Sequence, residues 1–91
     1  MPVLLVIDDD AGIIHGFRRV FQAPKITLLT AATADEGLEL ISQHRPDAVV
    51  LDVHLPDQSG MEAFRRIQQV DARIPVIFIT GHAPDPPGPH P

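Results

Sequence analysis

The chain has 91 residues, enough for one small domain, and its 44% of apolar and 21% of charged residues are typical of a soluble globular protein. Its net charge of −5, with a single lysine at Lys25 and scattered arginines, argues against direct nucleic-acid binding, which needs clustered positive charge. The absence of cysteine excludes disulfides and thiolate metal sites.

The N-terminal segment is apolar over residues 2–7 and then meets three aspartates. It lacks the basic region and the small-residue cleavage site of a signal peptide, and no stretch approaches the length of a membrane span. We therefore expect a cytoplasmic protein without a membrane segment.

Three short runs of Val, Ile and Leu indicate buried strands, at residues 3–7, 48–51 and 76–79. These runs do not alternate with polar residues, as is typical of a parallel sheet that helices cover on both faces. A weaker run at residues 26–30 alternates more and predicts a strand at the edge of the sheet.

Helical periodicity fills the first interval between these runs. Asp10 is the predicted N-cap of this helix, because its carboxylate can accept hydrogen bonds from free N–H groups of the first turn. The apolar face of the helix consists of Ile13, Ile14, Phe17, Val20 and Phe21.

The second helix begins with a capping-box pattern, in which the Thr33 hydroxyl and the Glu36 carboxylate satisfy backbone N–H groups at the helix start. Its apolar face carries Leu38 and Ile41. Gly37 is expected to weaken the helix slightly.

The third helix also begins with a capping-box pattern, Ser-Gly-Met-Glu, starting at Ser59. The stripe predicted to be buried consists of Met61, Phe64 and Ile67. The resulting order, β-α-β-α-β-α-β, predicts an α/β fold with an open parallel sheet and right-handed crossovers.

The composition changes abruptly after residue 82. Residues 83–91 contain five prolines and no apolar residue larger than alanine, so we expect polyproline II or disorder there. The sequence thus predicts one domain over residues 1–82 and a disordered, Pro-rich tail over residues 83–91.

Acidic residues follow two of the predicted buried strands. Asp8 and Asp9 come directly after the first strand, and Asp52 comes after the third. If strands one and three are neighbours, as in the flavodoxin-like order 2-1-3-4, the three carboxylates meet at the carboxyl edge of the sheet, where such folds bind ligands. Like charges in one cleft raise pKa values or demand a cation, and an oxygen-rich site of this kind suits Mg²⁺.

Other residues near these strand ends carry weaker signals. Asp10 is expected to act only as a helix cap. Thr80 ends the fourth strand, and its hydroxyl could hydrogen-bond a phosphate oxygen, although threonine is common at strand ends. Pro56 and Gly60 are expected to shape the loop after Asp52, which is ordinary loop chemistry. The five histidines show no metal-ligand spacing.

The motifs at these strand ends resemble, in their combined order and spacing, the receiver domain of two-component response regulators. The resemblance covers about residues 2–82 and depends on VIDDD at residues 6–10, PDAVVLDVHLPDQSG at residues 46–60 and IPVIFITG at residues 74–81. The run at residues 79–82 is more similar to regulators of the NtrC type.

The resemblance implies a phosphorelay switch, in which a sensor histidine kinase donates a phosphoryl group to Asp52. Asp8 and Asp9 would hold Mg²⁺ together with the Asp52 carboxylate and the backbone carbonyl of His54. Thr80 would hydrogen-bond the phosphoryl group and transmit the conformational signal. On this interpretation the chain is a phosphoacceptor that assists its own phosphoryl transfer and hydrolysis, and not an enzyme.

The departures from the family concern the C-terminal part. A complete receiver continues with a fourth helix, a fifth strand that ends in Lys-Pro and a fifth helix, and none of these follows residue 82. The lysine that pairs with the phosphoryl group has no counterpart, since Lys25 precedes the second strand. Without the fifth strand, residues 76–79 form an exposed edge. We therefore expect a truncated or frame-shifted gene product.

Two other functions compete with that of a receiver. A Mg²⁺-dependent phosphohydrolase of the haloacid-dehalogenase type would use Asp8 as its nucleophile and Asp10 two residues on, but such enzymes usually carry Thr or Val where this chain has Gly12. A fragment without phosphoryl chemistry could instead act as a decoy that binds a sensor kinase through its first helix.

Overall fold

The computed structural model describes residues 2–22 and 24–80 of the chain. These residues form four β-strands and three α-helices in strict alternation. The elements are β1 (Val3–Ile7), α1 (Ala11–Val20), β2 (Thr27–Ala31), α2 (Ala34–His44), β3 (Ala48–Asp52), α3 (Gly60–Val70) and β4 (Val76–Ile79). The predicted order is confirmed, and the strand bounds differ from the prediction by one residue at most.

All four strands run parallel and lie in the order β2-β1-β3-β4. Leu5 in β1 pairs with Leu29 of β2 on one side and with Val49 of β3 on the other. β4 pairs with the far side of β3, with Ile77 opposite Val50. The predicted flavodoxin-like order is therefore confirmed, and β1 and β3 are neighbours in the interior of the sheet.

Two clusters of buried side chains lie on opposite faces of the sheet, because alternate residues of a strand point to opposite sides. The larger cluster lies beneath α2 and α3 and consists of Leu5, Ile7, Ala31, Ala34, Ile41, Val49, Leu51, Ala63 and Ile67. The smaller cluster consists of Leu4, Val6 and Val50, against which α1 packs Ile14 and Phe17. The core is therefore concentrated on the face of α2 and α3.

The first and third helices begin at the N-caps that the sequence indicated. Asp10 accepts hydrogen bonds from the backbone N–H groups of Gly12 at 2.8 Å and Ile13 at 3.4 Å. Ser59 accepts one from the N–H of Glu62 at 3.2 Å. These local bonds satisfy donors that the first turn of a helix leaves free, which is why the chain turns into helix at these positions.

The start of α2 differs from the predicted capping box in one bond. Thr33 accepts from the N–H of Glu36 at 3.2 Å as expected, but the Glu36 carboxylate accepts from the N–H of Ala32 at 2.8 Å rather than from that of the N-cap. Gly37 also has a larger role than expected. It is buried against β1, and a Cβ at this position would lie 2.8 Å from Cγ1 of Ile7, so glycine lets α2 approach the sheet closely.

The prediction of a buried position is wrong for Val20 and Met61, whose exposed fractions are 74% and 53%. The buried residues of α3 are Gly60, Ala63 and Ile67, which share a face at spacings of three and four, and Met61 lies beside this face. Val20 likewise lies off the face of α1 that contacts the sheet. Two of the three buried residues of α3, Gly60 and Ala63, are small, and hydrophobicity alone does not reveal them.

β4 forms an exposed edge of the sheet within the described residues. Ile77 is 55% exposed and Phe78 is 38% exposed, so the prediction of burial on both faces is wrong for this strand, and the prediction of an exposed edge is confirmed. The Phe78 ring still packs against Phe64 of α3, with ring centroids 5.4 Å apart.

The predicted tail over residues 83–91 lies outside the described residues, as do Gly81 and His82. Within residues 2–22 and 24–80, none of the three helices has the length and hydropathy that a bilayer-spanning segment requires.

Candidate functional site

The carboxyl ends of β1 and β3 bring three aspartates together. Ile7 pairs with Leu51 across the two strands, so Asp8, the residue after β1, lies beside Asp52, the last residue of β3. Carboxylate oxygens of Asp8, Asp9 and Asp52 all lie within 4.8 Å of one another. The three side chains that the sequence grouped are therefore neighbours at one edge of the sheet, as the strand order required.

Two of these three carboxylates are buried. Asp8 and Asp52 are each 1% exposed, whereas Asp9 is exposed to solvent. The backbone N–H of Asp10 donates to Oδ1 of Asp8 at 2.9 Å, and the N–H of His54 donates to Oδ1 of Asp52 at 3.1 Å. Each donor is a backbone N–H two residues further along the chain. Because the backbone there is held in place, these bonds orient both buried side chains.

The second oxygen of Asp8 has no such donor. Oδ2 of Asp8 is buried, and no N–H or O–H of the described residues donates to it. The adjacent Asp52 carboxylate can hydrogen-bond with the Asp8 side chain only if one of the two carboxylates takes up a proton. A buried carboxylate oxygen without a donor is costly, and a bound cation would satisfy it.

The electrostatics of the cluster also favour a bound cation. Burial raises the pKa of Asp8 above its ordinary value, the N–H of Asp10 opposes this shift, and the negative charges of Asp52 and Asp9 add to it. Three carboxylates in one cluster repel one another when all are ionised, and a divalent cation would remove this repulsion.

The donor set fits Mg²⁺ better than a softer metal. All three side chains offer oxygen, two are held in place by burial, and the third faces solvent, where a hard cation can keep several of its waters. Among the described residues, this cluster is the one group of three or more potential ligands close enough to share an ion, and it contains no histidine.

The remaining predicted site residues lie around this cluster. His54 is exposed two residues after Asp52 and pairs with Ser59 in an isolated antiparallel bridge. Thr80 is exposed directly after β4, next to the strand end that holds Asp52. The carboxylate of Asp10 is directed to the first turn of α1 as its cap, as expected. His15 and His44 are exposed, whereas the remaining two histidines lie outside the described residues.

Gly60 shapes the loop after Asp52, as expected, and makes a close approach to the backbone there that the sequence did not indicate. Its N–H donates to the carbonyl oxygen of Val53 at 3.0 Å. A Cβ at Gly60 would lie 2.7 Å from Cα of Val53 and 2.9 Å from the carbonyl oxygen of Asp52. Only glycine allows α3 to begin this close to the strand end, so Gly60 shapes the loop that follows Asp52.

The family model for the response regulator receiver domain matches residues 4–87 of the chain. The chain belongs to this family. Curated relatives of this receiver domain include the transcriptional regulatory protein AfsQ1 of Streptomyces coelicolor, 39% identical over 85 residues, and the response regulator MprA of a Mycobacterium species, 37% identical over 81 residues. These matches cover 93% and 88% of the chain but only 37% and 35% of the relatives, so the chain spans about a third of their length.

Solved structures agree with this assignment. A CheY-like response regulator receiver domain protein from Methanospirillum hungatei superposes with a TM-score of 0.83 at 27% identity, over 93% of this chain and 68% of that one. A receiver domain protein from Clostridium thermocellum gives a TM-score of 0.80 at 30% identity, over 91% of this chain and 68% of that one. The receiver identification made from the strand-end motifs is thereby confirmed, with its fold.

Proposed function

We propose that this receiver domain accepts a phosphoryl group on the carboxylate of Asp52 from the phosphohistidine of a sensor histidine kinase. In this proposal Asp8, Asp9 and Asp52 hold Mg²⁺ together with the backbone carbonyl of His54. The observation that carries the proposal is the convergence of the three carboxylates within 4.8 Å at the carboxyl edge of the sheet. The chain acts as the acceptor of the group and not as an enzyme with a separate substrate.

Asp52 is the acceptor in this scheme because of its place in the sheet. β3 lies between β1, which is followed by Asp8 and Asp9, and β4, which is followed by Thr80. A phosphoryl group on Asp52 therefore has the acidic pair on one side and the hydroxyl on the other.

The transfer needs little from the protein beyond position. One carboxylate oxygen of Asp52 forms a bond to phosphorus while the bond between phosphorus and the phosphohistidine nitrogen breaks, and that nitrogen keeps the electron pair. When bound, Mg²⁺ supplies charge that offsets the developing negative charge of the phosphoryl group. The N–H of His54 holds Asp52 in a fixed orientation, and the Thr80 hydroxyl donates a hydrogen bond to the transferred group.

The lysine that other receivers place near the phosphoryl group is not supplied by Lys25. Lys25 precedes β2, which starts at Thr27, so it lies towards the amino end of the sheet. A five-residue strand spans roughly 16 Å, which separates Lys25 from the carboxyl edge that holds Asp52. Pairing of the phosphoryl group with a lysine is therefore not part of the scheme for the described residues.

A phosphohydrolase of the haloacid-dehalogenase type is disfavoured by the position of Asp10. That mechanism needs the carboxylates of Asp8 and Asp10 at one reacting centre, but Asp10 is occupied as the cap of α1. Turnover of an aryl phosphate that survives Asp52→Asn and is lost in Asp8→Asn would favour the phosphohydrolase.

The proposal is tested with an amide proton–nitrogen NMR spectrum recorded without metal, with Mg²⁺ and then with beryllofluoride, a mimic of the acyl phosphate. We expect Mg²⁺ to shift the signals of Asp8, Asp9 and His54, and beryllofluoride to shift those of Asp52 and Thr80. The Asp52→Asn variant is the matched control and is expected to lose the response to beryllofluoride. An unchanged wild-type spectrum, or equal shifts in the variant, would contradict the proposal and favour a decoy without phosphoryl chemistry.

A further inference from the structure

The loop that joins β3 to α3 is attached to a second helix through one side chain. Oδ1 of Asp57 accepts from the N–H of Ala34 at 3.0 Å, and Oδ2 accepts from the N–H of Asp35 at 3.1 Å. Ala34 and Asp35 are the first two residues of α2, whose own N-cap, Thr33, accepts from a later N–H. Asp57 therefore supplies, from 23 and 22 residues away, the part of the cap that α2 lacks.

Charge favours this contact as well as geometry. The amino end of a helix carries partial positive charge, and an ionised carboxylate that binds its free N–H groups is stabilised there. Burial tends to raise the pKa of Asp57, but hydrogen bonds from Ala34 and Asp35, together with those from its own N–H and from Gln58, hold its pKa below the ordinary value. The side chain is thus an ionised cap at neutral pH.

The same turn of α2 is also joined to α3. The Asp35 carboxylate forms an ion pair with Arg66 of α3 at 2.7 Å. Asp57 and Arg66 therefore hold the first turn of α2 from two directions, one from the loop and one from the helix that follows it.

The other end of the loop is fixed at the candidate site. His54 donates to Asp52 and bridges to Ser59, and the N–H of Gly60 binds the carbonyl of Val53. These contacts close the base of the loop, residues 53–59, whereas its outer part is attached to α2 through Asp57, three residues after His54.

From this arrangement we infer that Asp57 is a positioning residue of the metal site, which sets the place of the His54 backbone by anchoring the loop to α2. The inference depends on the proposed function, because the His54 carbonyl is a ligand only in that proposal. Since Asp57 lies in contact with α2 and outside the carboxylate cluster, it acts on the metal through the loop and not by direct contact.

Mg²⁺ binding and loop anchoring are thermodynamically linked, so each must favour the other. If the anchored loop binds Mg²⁺ more tightly than a released one, then Mg²⁺ must in turn favour the anchored loop. The amides of Ala34 and Asp35 should therefore exchange with solvent more slowly when Mg²⁺ is present. A residue that served only the stability of α2 would not connect these amides to the metal.

The test compares Mg²⁺ affinity, measured by NMR titration, in the wild type, Asp57→Ala and the control Asp47→Ala. Asp47 also accepts a backbone N–H, that of Val3, but at the amino end of the sheet. We expect Asp57→Ala to weaken Mg²⁺ binding about tenfold, as for other residues that orient a metal ligand. Asp47→Ala should retain the wild-type affinity. Asp57→Asn keeps one acceptor oxygen, so its Mg²⁺ affinity should lie between those of the wild type and Asp57→Ala. It replaces Asp57→Ala if the alanine variant loses its dispersed spectrum.

The outcomes separate this inference from the proposed function. Equal Mg²⁺ affinity in the wild type and Asp57→Ala, or exchange at Ala34 and Asp35 that does not respond to Mg²⁺ in the wild type, would overturn the role of Asp57 alone. No Mg²⁺ binding by the wild type would overturn the proposed metal site, and the role of Asp57 with it.

Discussion

The two faces of the sheet differ in how completely they are covered. Among residues 2–22 and 24–80, nine are buried in one cluster on the face of α2 and α3, whereas the face of α1 has three, and no residue of α1 itself is buried. The stability of the described fold therefore depends mainly on α2 and α3. The loop after Asp52 is attached to both of these helices, so the candidate site rests on the better packed side of the molecule.

The largest expected effect comes from a matched pair of truncations on the two faces. Ile67 of α3 is fully buried, whereas Ile14 of α1 is only partly buried. We expect Ile67→Ala to lower the free energy of unfolding by about 3 kcal/mol and Ile14→Ala by roughly 1 kcal/mol, because a fully enclosed site loses more contacts and leaves a cavity. Urea unfolding of both variants measures the difference. Equal losses would show that α1 contributes as much as α3.

A second pair of variants compares how closely the backbones of α2 and α1 approach their neighbours. Gly37 of α2 is pressed against Ile7, whereas no described residue, apart from the adjacent backbone of α1, lies within 4 Å of a Cβ placed at Gly16. Gly37→Ala should destabilise the fold by about 1–3 kcal/mol through overpacking. Gly16→Ala should stabilise it by up to about 1 kcal/mol, since alanine favours helix. Thermal unfolding gives both signs, and a stabilising Gly37→Ala would contradict the close packing of α2.

At the carboxyl end of β1, a buried apolar residue, Ile7, is followed by a buried carboxylate, Asp8. Burial raises the folded-state pKa of Asp8 above its ordinary value of 3.8, and the charge of Asp52 adds to this shift. The folded state therefore binds the Asp8 proton more tightly than the unfolded state. The resulting stability is present at low pH and is lost as the pH rises through the raised pKa.

Because the pKa of Asp8 is raised in the folded state, we expect Asp8→Asn to be more stable than the metal-free wild type at neutral pH, by about 1 kcal/mol. The stability of the variant should also depend less on pH. Added Mg²⁺ should reverse the order, because a ligand at ten times its Kd stabilises the wild type by roughly 1.4 kcal/mol. Unfolding curves at several pH values, with and without Mg²⁺, provide the measurement. A wild type that gains stability across the same rise in pH without metal would show the assigned direction of the Asp8 shift to be wrong.

Most of the fold was predictable from the sequence because its signals are local. The Val, Ile and Leu runs mark β1 and β3, and the caps at Asp10, Thr33 and Ser59 mark helix starts within three residues of their partners. The acidic cluster was predictable because the carboxyl ends of parallel strands share one edge of the sheet.

Features that depend on distant contacts left no such signal. Asp57 is an acidic residue in a polar loop, and nothing in the flanking residues indicates that it binds N–H groups more than 20 residues away. The tight approach of Gly60 to Val53 also depends on how α3 meets β3, and a glycine in a loop suggests only a turn. Tertiary arrangement, and not local pattern, decides both contacts.

The smallest effects are expected at Val20 and Met61, two residues that helical periodicity placed in the core and the structure exposes. Neither side chain loses much contact with neighbours when it is made polar, so Val20→Gln and Met61→Gln should each change the free energy of unfolding by no more than about 0.5 kcal/mol. The two variants also compare the faces directly, since one lies on α1 and the other on α3. If Val20→Gln alone lowered the free energy of unfolding by more than about 2 kcal/mol, Val20 would be covered by residues outside the described ranges. The two faces of the sheet would then be more equally covered than the described residues show.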